Sequence, residues 1–184
     1  WRKFSSLVGS ANTTSGDYFT DMKLNSYIWS YACGGGWYTG ASGVGTTSDF
    51  QSDKIESVFT MLYGSYFGDW DNQNNFLRAP IASPSATLVS VWGGRPNWYF
   101  HTMAMGEPIG YSYLNSIDNS DTYFPKGYYS NKIHQSLQGD PTLKMNVISA
   151  PTFITINSIE NNSKMKVEWI PSTEDNILGY YIYK

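Results

Sequence analysis

One cysteine stands among 184 residues, and it sits where a strand would hand a thiol to solvent. Cys33 follows the apolar run Tyr27-Ile28-Trp29-Ser30-Tyr31-Ala32 and opens the turn Gly34-Gly35-Gly36. The carboxyl ends of strands in open α/β sheets are where ligands bind and nucleophiles are presented. Three glycines allow a tight turn, and the Gly34 N–H is a candidate donor to a developing oxyanion. Free cysteine is equally a small hydrophobe and one of the residues most often buried. Cys33 therefore reads either as a nucleophile or as a packed thiol.

A nucleophilic thiol needs a base, because an unassisted thiol is mostly protonated at neutral pH. The chain has two histidines, His101 after Tyr99-Phe100 and His134 after Lys132-Ile133, and both lie downstream of Cys33. Distance along the chain does not forbid contact, so His101 is carried as a candidate base, ahead of His134. Asp69-Trp70-Asp71 sets two carboxylates around an indole. That triplet could bind a cationic side chain with Trp70 as its wall, or form a solvated turn whose aspartates cap backbone N–H groups. Asp49 could join it around a cation, but no run of oxygen ligands has the spacing of a calcium loop, and no metal or cofactor is expected. A glycosidase pair such as Asp69 with Glu107 is not singled out by anything in the sequence. Arg95 lies between Trp92 and Trp98, where its guanidinium could stack and take a carboxylate or glycan, or bridge to Asp69 or Asp71. Trp37, Tyr38, Trp70, Trp92 and Trp98 fall at expected strand ends. Most are expected in the core, and one or two in ligand contact.

The elements that must hold these residues follow from the pattern. Residues 1–26 are polar and loop-like around Gly9–Gly16. Tyr27–Ala32, Val58–Tyr63 and Ala86–Trp92 are short apolar runs closed by glycines and read as strands. Residues 34–53 read as a long Gly/Thr/Ser loop. Trp98–Asn115 is helical in character with a break near Gly106-Glu107-Pro108. Strands alternating with helical segments imply an α/β sheet with its loops gathered at one edge. After Ala150-Pro151 the texture changes, and Thr152–Ile159, Lys164–Trp169 and Gly179–Tyr183 alternate with a period of two, as antiparallel strands do.

Two resemblances attach to these motifs. Trp169-Ile170-Pro171-Ser172 with Leu178-Gly179-Tyr180-Tyr181-Ile182-Tyr183 resembles the start of a fibronectin type III domain, which implies that Trp169 is a core residue. Such a sandwich has about seven strands, and about three are legible here, so residues 149–184 are expected to be an incomplete β-sandwich. The strand ending at Cys33, the segment Leu62-Tyr63-Gly64-Ser65-Tyr66-Phe67-Gly68-Asp69-Trp70 and the segment Gly139-Asp140-Pro141-Thr142-Leu143 together resemble the C-terminal part of a gingipain-type cysteine peptidase. That resemblance implies a caspase-like open sheet with flanking helices over residues 1–148, Cys33 as nucleophile and Gly34 as oxyanion donor. It implies a pocket at Asp69, Trp70 and Asp71, with Arg95 nearby. It also implies that Gly139–Leu143 is the strand closing the domain. The family's base is a His-Gly pair at the end of the neighbouring strand. Its best counterpart here is Leu7-Val8-Gly9-Ser10, with Val8 in the base's place. Either the base lies in a part not included in this chain, or Val8 has replaced it and the protein is a pseudo-enzyme.

The formal net charge of −3 and the absence of a basic patch argue against nucleic acid as a partner. No apolar stretch approaches the length of a spanning helix. Tyrosine (15) and tryptophan (7) beside many Gly, Ser, Thr and Asn suit a secreted or cell-surface protein that contacts peptides or glycans. The resemblance implies the same location, on a bacterial surface reached through type IX secretion. The opening at Trp1 suggests a chain cut from a longer polypeptide. The alternative to a peptidase relative is a non-catalytic adhesin or glycan-binding module that uses the aromatic loops.

Overall fold

A computed structural model describes residues 2–95, 98–117, 134–145, 151–161, 163–174, 177, 179–180 and 182; the side chains of Arg2, Lys3, Ser6, Gly94, Arg95 and His134 lie outside that description. The chain divides into two units, Trp1–Met145 and Asn146–Lys184.

The first unit is mixed α/β. Its strands β1 (Tyr27–Cys33), β5 (Ser57–Tyr63), β6 (Val89–Arg95) and β7 (His134–Gly139) form one sheet in the order β1-β5-β6-β7. The first three are parallel and β7 is antiparallel. Alternation along the strands separates two cores. Ala32, Leu62 and Trp92, neighbours across the sheet, face Tyr18, Phe19 and Met22 of α2 (Tyr18–Leu24) and Phe50 of α3 (Thr47–Ser52). Trp29, Phe59 and Val89 face the opposite layer. There they meet Phe4 of α1 (Arg2–Val8), Met103 of α5 (His101–Ala104) and Ile109 of α6 (Ile109–Ile117). A short helix α4 (Ala79–Ala82), with a proline in its first turn, precedes β6.

Several buried hydroxyls of the sheet satisfy one another, while the Trp29 indole N–H and the Ser90 hydroxyl are buried with no hydrogen-bond partner among the described residues. Tyr18 Oη lies 2.6 Å from Thr60 Oγ1, Ser30 Oγ donates to Thr60 Oγ1 at 2.8 Å, and Ser57 Oγ donates to Ser30 Oγ at 2.9 Å. This chain of hydroxyls explains serine and threonine in otherwise apolar strands. Burial of the Tyr18 phenol pushes its pKa above the usual tyrosine value, so it stays protonated and can take part at any physiological pH.

Several expectations are corrected. Residues 13–16 are irregular, as expected of the loop-like stretch, but helices that were not expected flank it: α1, then a 3-10 turn at Ser10–Asn12, and after the loop α2, whose start is fixed by Asp17 accepting the Thr20 N–H at 2.8 Å. Residues 34–53 fold into three two-residue strands, β2 (Gly36–Trp37), β3 (Gly40–Ala41) and β4 (Gly45–Thr46), which form an antiparallel sheet leading into α3. The closing strand is His134–Gly139, upstream of the segment expected. Gly139 turns out of it at φ 110°, and Asp140 then accepts the Thr142 N–H and hydroxyl in a tight turn.

In the second unit β8 (Thr152–Ile159) and β9 (Lys164–Ile170) form an antiparallel hairpin. Its turn carries Glu160 and Asn161 at positive φ, and the Ser163 N–H is donated to the Glu160 carbonyl. Trp169 packs edge-on to Tyr180, whose hydroxyl accepts the Ser172 N–H at 2.8 Å. The third expected strand, Gly179–Tyr183, falls partly outside the described residues. Where it is described, no strand pairing is present.

Candidate functional site

The carboxyl ends of β1, β5 and β6 are bound together by backbone contacts that only glycine permits. A Cβ on Gly34 would lie 2.1 Å from the Ser42 carbonyl oxygen, and one on Gly36 would lie 2.5 Å from Ser65 N and O. The Gly34 N–H is donated to the Tyr63 carbonyl at 3.1 Å, the Ser42 N–H to the Gly35 carbonyl at 2.9 Å, and the Trp92 indole N–H to the Gly64 carbonyl at 2.9 Å. The glycine run thus serves close packing of the β1 turn against β3 and the turn after β5. Gly34 was expected to point its N–H at an oxyanion, but β5 already holds that donor.

Cys33 is exposed at this edge. On its own strand the Tyr31 hydroxyl lies within hydrogen-bonding reach of the sulfur, and Tyr63 is its partner across β5. Burial first, then the hydrogen bond to Cys33 and the fields of Cys33 and Tyr63, raise the Tyr31 phenol well above its usual pKa. A phenol so held is a donor and cannot take the thiol's proton. Cys33 also borders a cleft of about 490 Å³ along β1. No histidine is among the described residues that line it.

His101 opens α5, exposed and edge-on to Tyr99, and does not line this cleft. The His134 side chain is outside the description, though its backbone begins β7. Val8 does line the cleft with Cys33, but it is the last residue of helix α1. It was aligned with a base at the end of a neighbouring strand, and no such strand lies there among the described residues. Instead, α1 packs Phe4 against Trp29 and Phe100, with ring centroids 5.7 and 6.1 Å apart.

Asp69 and Asp71 are exposed on the loop between β5 and α4, on either side of a Trp70 that is 42% exposed. That loop supplies its own cation: the Arg78 guanidinium lies 6.0 Å from the Trp70 ring centroid and also donates to the Asn72 and Gln73 carbonyls. Asn75 completes the loop by donating to the Phe67 carbonyl at 3.0 Å and accepting the Leu77 N–H at 2.9 Å. Arg78 and Asn75 were not singled out in the sequence. Their role depends on carbonyls that a turn gathers, and residue type does not announce that. Asp49 is committed elsewhere, accepting the Thr46 N–H and hydroxyl in a capping box at the start of α3. Glu107 is exposed between α5 and α6, with nothing in the structure pairing it to Asp69. No group of three or more His, Cys, Asp or Glu residues converges for a metal among the described residues. The Arg95 side chain lies outside the description.

The aromatic loop residues divide cleanly. Trp98 is 2% exposed and donates its indole N–H to the Trp92 carbonyl, while Trp92 packs on the core beneath the sheet. Trp37, Tyr38, Tyr66 and Trp70 are all exposed, and Tyr38 lies 5.2 Å from Tyr66 between ring centroids. Tyr66 is held at φ 66°, a left-handed conformation that a bulky residue adopts only when its surroundings impose it.

Among the described residues no helix is long and apolar enough to cross a membrane. No family model matches the chain, and neither the curated proteins nor the solved structures hold a match.

Proposed function

We propose that this chain is a secreted or cell-surface relative of gingipain-type cysteine peptidases that is catalytically inactive as it stands. The observation that carries the reading is the placement of Cys33, exposed at the carboxyl end of a parallel strand and bordering a cleft with no described imidazole. The thiol has the position of a nucleophile, and the tyrosine beside it is a donor rather than a base. The partner class is a protein or peptide. The resemblance in motif order, from Cys33 through Leu62–Trp70 to Gly139–Leu143, supports the assignment, as does the parallel arrangement of the strands that carry the first two.

The second reading, a non-catalytic adhesin or glycan-binding module, is favoured by a separate observation. Tyr38 and Tyr66 form an exposed pair, with Tyr66 strained, on the same loops as the exposed Trp37 and Trp70. Apolar rings grouped at a surface are a common footing for sugars and peptides.

Alkylation of Cys33 by iodoacetamide between pH 5 and 9, on the native chain, tests the first reading. The expected result is ready labelling of the folded protein whose rate falls steadily as the pH is lowered. A rate that stays high well below pH 7 would reveal a base acting on Cys33 and overturn the inactivity. Labelling only after denaturation would remove Cys33 from the site and leave the aromatic surface as the reading.

A further inference from the structure

We draw no further inference here: the strongest candidate, the surface patch around the exposed Tyr38–Tyr66 ring pair on the loops after β1 and β5, belongs to the aromatic surface already described, and nothing in the structure shows what covers it.

Discussion

Gly34→Ala is the sharpest test of how the site is held. The new Cβ would lie 2.1 Å from the Ser42 carbonyl oxygen and 3.2 Å from its carbon. Both are backbone atoms, and Ser42 is anchored by its own N–H to Gly35. No side chain can swing away, so about 1 Å of main-chain movement must be found to restore ordinary contact near ~3.4 Å. Gly34 cannot move freely either, because its N–H is committed to Tyr63. Overpacking of this kind costs roughly 3 kcal/mol, the upper end of the usual range. For a unit of this size that corresponds to a fall in Tm of roughly 6–12 °C. Gly68→Ala is the matched control, since a Cβ there meets nothing within 4 Å and its φ is not positive. Its expected effect lies between zero and a gain of about 1 kcal/mol, from reduced freedom of the unfolded chain. Thermal melts followed by circular dichroism compare the two, and the rate of Cys33 labelling by a disulfide reagent reports the turn itself. If Gly34→Ala melts within a degree or two of Gly68→Ala, the close packing argued for the β1 turn is wrong, and the N–H of Gly34 returns as a candidate donor.

Tyr18→Phe removes the hydroxyl 2.6 Å from Thr60 Oγ1 and leaves a buried Thr60 hydroxyl whose remaining partner, Ser30, is already a donor to it. A loss of about 1–3 kcal/mol is expected in urea unfolding, and an unchanged midpoint would mean that the hydroxyl chain contributes nothing. Asp17 has a folded pKa below its ordinary value of 3.8. Its cap on α2 is therefore fully in place above that ordinary value and is lost as the pH falls through the lower, folded value. The Thr20 amide shift followed by NMR under acid titration should show this, and Asp17→Asn, which caps without titrating, should abolish the step. Arg78→Ala removes donors to the Asn72 and Gln73 carbonyls and the cation near Trp70. The 69–75 loop should open to proteolysis while the melting of the sheet changes little, and equal protease resistance in both forms would refute the role given to Arg78.

The parts of this fold visible in the sequence are those fixed by local pattern. The runs at Tyr27, Val58 and Ala86 became β1, β5 and β6, in order; glycines follow β1 and β5 as expected, whereas β6 starts at Val89 and runs through Gly93 and Gly94 to Arg95. The helix break at Gly106-Glu107-Pro108 separates α5 from α6. The hairpin of β8 and β9 followed from its alternation. The helix α2 was missed although its signals were present: Asp17 as a cap, and Tyr18, Phe19 and Met22 spaced to one face. Polar residues around Gly9–Gly16 masked them. The strand β7 was misplaced because His134–Gly139 is too polar to read as buried, as befits one edge of a sheet. The site was legible only in part. Cys33 at a strand end could be read from residue order. The use of Gly34 and Gly36 could not, because it depends on Ser42 and Ser65, which only the folded chain brings near.

The same contacts constrain what Cys33 can do. Its strand is joined at the carboxyl end to Tyr63 through Gly34, its turn rests on Ser65 through Gly36, and the turn after β5 is tied to β6 by the Trp92 indole. A thiol mounted this way is presented in one position, since moving it would strain backbone against backbone. On the peptidase reading proposed above, the choice between an active and an inert form therefore does not turn on a rearrangement of β1. It turns on whether an imidazole reaches the open side of Cys33, the side bordered by the cleft and by Val8. Val8 lines the same cleft, but it has no lone pair to accept a proton. A histidine introduced at this position would sit on a helix rather than on a neighbouring strand, so Val8→His alone is not expected to confer peptidase activity.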